Sequence, residues 1–244
     1  MIRGLYIAAT GMLAESTRQD VIANNLANVT TSGFKRSESS TRPFSEMLVT
    51  AGAPGTPQVG TLAMGAEIAG IATMATQGPV RATGNPLDVA LVGEGWITVD
   101  AQGGRRYTRD GALSVDAGGR LVTSDGSEVA GAAGPIRLAA DGGQVTIAAD
   151  GTVSQDGAAR GRIRIAALDP ASLTREGASL MGGTETGTPT ARVRQGYLEG
   201  SNVNTVTEMV ELISAMRAFE ANQKAVQAHD EALEQAVTKV GAVA

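Results

Sequence analysis

At both ends of the chain, apolar side chains return every three or four residues. Ile2, Leu5, Ala9 and Met12, followed by Ser16, Gln19, Ala23 and Leu26, keep to one face, and this spacing predicts an amphipathic N-terminal helix. From Met209 the positions Met209, Leu212, Met216, Phe219, Gln223, Val226, Asp230, Leu233, Val237 and Val240 step in the same way, with only Gln223 and Asp230 polar. That is the seam of a coiled coil. Thr205-Val206-Thr207-Glu208 fits a capping box at its start, where Val206, Val210 and Ile213 widen the stripe. A helix over residues 203–240 would extend roughly 55 Å at about 1.5 Å per residue. It cannot bury such a stripe alone. The N-terminal helix is the expected partner and, being shorter, leaves part of the stripe for other subunits.

Between the helices the pattern changes. Residues 34–80 are rich in Ser, Thr, Gly, Ala and Pro with weak periodicity, which predicts an extended arm. From residue 81 to 200 short β-type runs (LDVALV, WITV, RYT, RLVT, QVTIAA, RIRIAAL) alternate with turn signals at Asp110-Gly111, Asp125-Gly126, Asp141-Gly142, Asp150-Gly151 and Asp156-Gly157. The expected fold is therefore α+β. A helical layer built from residues 1–33 and 201–244 holds a β-rich middle domain at the end of an arm. The Asp-Gly pairs lack the strict nine-residue glycine-rich repeat of a calcium roll, and hairpin turns account for them.

Composition narrows the chemistry. The chain has 244 residues, 42% of them hydrophobic but only 3% aromatic, so its core is built from Ala, Val, Ile and Leu. A net charge of −5 argues against nucleic acid as a partner. There is no cysteine, which removes disulfides and thiolate metal sites. Arg3 followed by LYIAATGMLA has the outline of a short leader, but Thr10 and Gly11 interrupt it and the helical pattern continues, so a retained helix is expected. No run approaches the apolar length of a membrane span.

A catalytic search returns little. His229 is the only histidine and lies beside the C-terminal stripe, where a solvated helix residue is expected. Gly93-Glu94-Gly95 is followed by a strand pattern and not by a helix, against a dinucleotide loop. Arg160, Arg162 and Arg164 alternate with Gly161 and Ile163, which reads as a solvated sheet face. No enzyme activity, cofactor or metal is expected.

The stretch ANNLANVTTSGFKR, residues 23–36, places three asparagines in a helical context that they weaken. Gly33 can take the left-handed conformation that closes a helix, and Phe34 follows as an apolar anchor, with Lys35 and Arg36 near the negative helix pole. Taken alone, these residues describe an ordinary capped helix.

Together with NPLDVALVGEGWITV, RYTRDGALSVDAGGRLVTSDG and GYLEGSNVNTVTEMVELISAMRAFEANQKAVQAHDEAL, however, the stretch resembles the signature regions of the bacterial flagellar rod and hook family, in order and over nearly the whole chain. The resemblance is weakest over residues 45–75. The GPIRL and VTIAADGTVS segments and the length look most similar to proximal-rod members, with a distal-rod or hook-type subunit as the alternative, since MIRGLYIAATGML and ANNLANV also suit the distal rod. The resemblance implies terminal helices packed side by side around an export channel, a location in the basal body outside the cytoplasmic membrane, and passage through the flagellar type III export apparatus. Partners would be copies of the chain, homologous rod subunits and the surrounding rings. Asn24, Asn25, Leu26, Asn28, Gly33 and Phe34, with Leu212, Met216, Phe219, Asn222, Val226 and Leu233, would make the subunit contacts. Phe44 and Leu48, in FSEML, resemble the family's Phe-x-x-x-hydrophobic export-gate element. The alternative class is an adhesion or carbohydrate-binding β domain on a helical stalk, against which the scarcity of aromatic rings argues.

Overall fold

The computed structural model describes residues 2–43, 46–50, 58–63, 65–101, 103–139 and 142–241. It is a mixed α+β chain. One long helix opens it (α1, Ile2–Ala27), short strands fill its middle, and a longer helix closes it (α2, Thr205–Gly241). The chain divides into two compact units: residues 1–24, 37–72 and 205–244 form the first, and residues 25–36 and 73–204 the second.

In the first unit, α1 and α2 lie against each other and run antiparallel. Gly4 sits under the ring of His229, where an added Cβ would come within 2.3 Å of Nε2, and Gly11 sits against Asn222, within 3.0 Å of Nδ2. Farther along, Arg18 approaches Glu211 at 4.0 Å. Ala8 and Ala215 are fully covered. Small residues at these positions let the two backbones come close. His229 is thus half-buried over Gly4 and is not a solvated residue. The described residues among 37–72 are more regular than a loose arm: strand Ser37–Pro43 pairs with strand Ala66–Thr73, and strand Glu46–Thr50 pairs antiparallel with strand Gln58–Ala63, Leu48 opposite Thr61. Ala66 N donates to Thr10 Oγ1 at 3.4 Å, tying this ribbon to α1.

The second unit is β-rich. Strand Trp96–Ala101 is its centre, flanked by Gly104–Thr108 on one side and by Glu128–Val129 and Ile165–Ala166 on the other, all antiparallel. The alternation of VALV and WITV places Val89, Leu91, Ile97 and Val99 in one apolar cluster with Leu121, Val129, Ile136 and Val153, while Trp96, Tyr107 and Met181 form a second. Strands Val145–Ile147, Thr152–Gln155 and Ala158–Arg162 make a separate meander. Its tight turn is Asp156-Gly157, both with positive φ (53° and 80°), the geometry that matches the right-handed twist of a hairpin. Asp110-Gly111 has another role: a Cβ on Gly111 would lie 1.7 Å from the carbonyl oxygen of Val89, so glycine is there for close approach. Asp141 lies outside the described residues. The three alternating arginines do not share one strand, since the strand ends at Arg162 and Arg164 pairs with Glu185 at 2.9 Å.

Candidate assembly site

A cluster of charged side chains lies in the interior of the second unit. Lys35 and Glu199 side chains are 0% exposed and meet at 2.5 Å, Lys35 Nζ donating to Glu199 Oε1. Gly78 N donates to the same oxygen at 2.9 Å, and Arg109 donates to Oε2 at 3.0 Å. Lys35 also donates to the carbonyl of Thr76 at 2.8 Å, and Arg109 to that of Gly93 at 2.7 Å. Two cations thus share one carboxylate. Burial pulls the Lys35 ammonium below its ordinary pKa, against the opposing pull of Glu199, and Arg109 nearby lowers it further.

This cluster fixes the segment that follows α1. Gly33, at φ +67°, donates its N–H to the Glu199 carbonyl at 2.8 Å, and its missing Cβ would lie 2.2 Å from the Arg109 backbone. Phe34 is buried with the Arg175 guanidinium 4.3 Å above its ring, and Arg175 also donates to the Lys35 carbonyl. Asn202 accepts from Arg36 N at 2.6 Å and donates to Met74 and Thr76. The sequence expectation placed Lys35 beside a helix pole and Phe34 either on the helix or in a neighbouring element. The tertiary fold packs Phe34 under Arg175 and pairs Lys35 with Glu199, which locks residues 33–36 into the β unit, because Glu199 offers Lys35 a full charge and the pole only a partial one.

The residues singled out from sequence separate by exposure. Asn25 is buried and Asn24 exposed, while Leu26 and Asn28 are half-buried, Thr31 Oγ1 donating to Asn28 Oδ1 at 3.2 Å. Gly33 and Phe34 are buried within the chain. On α2, Leu212, Phe219, Asn222, Val226 and Leu233 are half-buried, and Met216 is exposed. Phe44 lies outside the described residues, and Leu48 lies on strand Glu46–Thr50.

The covered line on α1 runs one residue earlier than the apolar periodicity suggested, whereas on α2 it keeps Leu212, Phe219, Val226 and Leu233 and runs one residue earlier only at the alternate positions. On α1 it passes through Gly4, Ala8, Gly11, Glu15, Arg18, Ile22 and Asn25. On α2 it passes through Glu208, Ala215, Asn222, His229 and Ala236, with Leu212, Phe219, Val226 and Leu233 beside them. These sets keep the three-four spacing, but their residues are mostly small or polar. Several larger apolar side chains face outward. Val206, Met209, Val210, Ile213 and Met216 form a second α2 face at i, i+3, i+4, i+7 and i+10, and Val206 is 72% exposed. Tyr6, Ile7 and Leu13 are exposed on α1.

Other chemistries find little support. Trp96 is 4% exposed and Arg109 stands 5.5 Å over its ring, so it offers no open platform for a sugar. Among the described residues, no helix is long and apolar enough to cross a membrane.

The first unit is thus a helix pair with an exposed apolar face, and the second a small β unit held by a buried cluster of three charged residues distant in sequence. Comparison with known proteins gives the family. Residues 5–35 match the flagella basal body rod protein family, residues 90–155 the flagellar hook protein FlgE/F/G D1 domain, and residues 194–238 the flagellar basal body rod FlgEFG protein C-terminal family. The chain belongs to the flagellar basal-body rod protein family. It is 36% identical to the flagellar basal-body rod protein FlgG of Agrobacterium fabrum, covering 94% of this chain and 96% of the relative. It is 34% identical to FlgF of Caulobacter vibrioides over all of both chains, and 33% identical to FlgF of Escherichia coli over 95% of each. Identity is nearly equal for FlgG and FlgF relatives, so it does not separate the two. Lys35, Arg109 and Glu199 fall one in each matched region, and their separation along the chain, 164 residues between Lys35 and Glu199, is why local periodicity missed them.

Proposed function

We propose that this chain is a structural subunit of the bacterial flagellar basal-body rod, and that it works by mechanical contact and not by catalysis. The observation that carries this reading is the second apolar face of α2, which the chain leaves uncovered while the small-residue face is occupied by α1. In the assembled rod, α1 and α2 form a coiled-coil-like inner layer around the export channel, and the outer faces dock onto copies of the chain and homologous subunits through heterologous contacts. Within the rod we favour the proximal position, on the GPIRL and VTIAADGTVS segments and the length of the chain. Delivery is through the flagellar type III export apparatus, with Phe44 and Leu48 as the gate-recognition pair, and the rod places the chain outside the cytoplasmic membrane, inside the surrounding rings.

The test is the double variant Val206→Asp, Ile213→Asp. Both side chains are exposed, so the chain is expected to fold and be exported, yet to be missing from isolated basal bodies. Incorporation at the wild-type level would overturn the assembly reading. Cryo-electron microscopy of basal bodies carrying a tagged chain tests the proximal position, and density in the distal rod would refute it.

A further inference from the structure

Two methionines lie on the uncovered α2 face. Met209 and Met216 are seven residues apart, 48% and 49% exposed, and flanked by the exposed Val206, Val210 and Ile213. Met74, in the β unit, is 38% exposed, whereas Met181 is 2% exposed in the second apolar cluster. We infer that Met209 and Met216 are sites of peroxide oxidation in the free subunit, and that their conversion to the sulfoxide blocks docking of this face. The inference rests on the assembly reading above.

The chemistry is balanced. A thioether lone pair attacks one oxygen of hydrogen peroxide, the S–O bond forms as the O–O bond breaks, and the departing hydroxide takes up the remaining proton as water. Sulfur loses two electrons and the peroxide gains them. The product is a polar, strongly accepting group in place of an apolar one. On a solvated helix this costs little. Once pressed against an apolar partner, each sulfoxide oxygen must be desolvated without a donor. The two sites also sit on one stripe, two turns apart, so a partner helix that packs along the stripe meets both. Once docked, the same sulfurs are covered, so the vulnerable period is between export and assembly.

The experiment has two arms. In the first, the purified full-length chain is treated with hydrogen peroxide and followed by peptide mass spectrometry. Met209 and Met216 are expected to oxidise at a rate comparable to Met74 and about tenfold faster than Met181. Met209 and Met216 remaining as thioethers when Met74 is fully oxidised would overturn the inference. In the second arm, cells carry Met209→Gln, Met216→Gln, the glutamine imitating the polar acceptor, with Met74→Gln as the control outside the face. The double variant is expected to be exported and to fall about tenfold in basal bodies, with Met74→Gln at the wild-type level. Wild-type incorporation of the double glutamine variant would overturn it. Val206→Asp, Ile213→Asp is scored alongside. If that variant is excluded from the rod while the glutamine variant enters, the oxidation inference alone fails. If both enter, the assembly reading itself has failed.

Discussion

Removing the charge of Glu199 should be far more costly than removing that of Lys35, although the two side chains form one ion pair. Glu199→Gln leaves Lys35 and Arg109 buried with no anion between them, and turns one carboxylate oxygen into an amide that faces donors. Breaking a buried pair from one side typically costs about 3–5 kcal/mol, since an uncompensated charge is left in the interior. Lys35→Met is different. Arg109 and Glu199 remain paired one to one at 3.0 Å. The oxygen that Lys35 vacates still accepts from Gly78 N at 2.9 Å, and the Thr76 carbonyl still accepts from Asn202 Nδ2 at 3.1 Å. No partner is orphaned, and the desolvation that lowers the Lys35 pKa disappears with the ammonium. The expected cost is about 1 kcal/mol, in line with apolar replacement of one buried ion. Trp96, the only tryptophan, lies under Arg109 and reports on the site directly. At about 2 kcal/mol per M urea, Glu199→Gln should lower the fluorescence-detected midpoint by about 1.5–2.5 M and Lys35→Met by about 0.5 M. Equal shifts, or a larger one for Lys35→Met, would refute the charge accounting.

Gly33→Ala should destabilise the β unit by about 3 kcal/mol or more, because a left-handed backbone and a clash with the Arg109 main chain combine; an unchanged urea midpoint would contradict it. Asp110 is buried and its pKa is raised by desolvation, so its folded form holds a proton more tightly than the unfolded one. The stability it contributes is present below the unfolded value of 3.8 and is lost as pH rises through the folded value. Asp110→Asn should therefore be at least as stable as wild type at pH 7, and wild type should gain on it as pH falls toward 4; a difference independent of pH would refute this. Ala215 is fully buried on α2, so Ala215→Leu should overpack the helix pair by about 1–3 kcal/mol and lower the helical melting temperature by circular dichroism, whereas no change would exclude close α1–α2 packing. Phe44→Ala, Leu48→Ala should reduce secretion of the chain while leaving the melting of the β unit unchanged, and normal secretion would remove the gate-recognition assignment.

The two terminal helices, the β-rich middle and the hairpin turn at Asp156-Gly157 were legible in the sequence, because the helical period, strand alternation and turn conformation depend on residues close in the chain. Which helix face pairs was legible only in part, since Leu212, Phe219, Val226 and Leu233 of the expected seam are half-buried while its methionines are exposed. Hydrophobic size drew the expected seam through Met209 and Met216, while close backbone approach selected the neighbouring line of Gly4, Gly11 and Ala215, since only small side chains allow it. The role of Lys35 was hidden. Next to a helix end its charge suggests a dipole contact, and only the fold brings Glu199, 164 residues away, within 2.5 Å. Local pattern records what a segment can bury; which partner meets it is set by long-range closure of the chain, where a full opposing charge outweighs the weak preference expressed nearby.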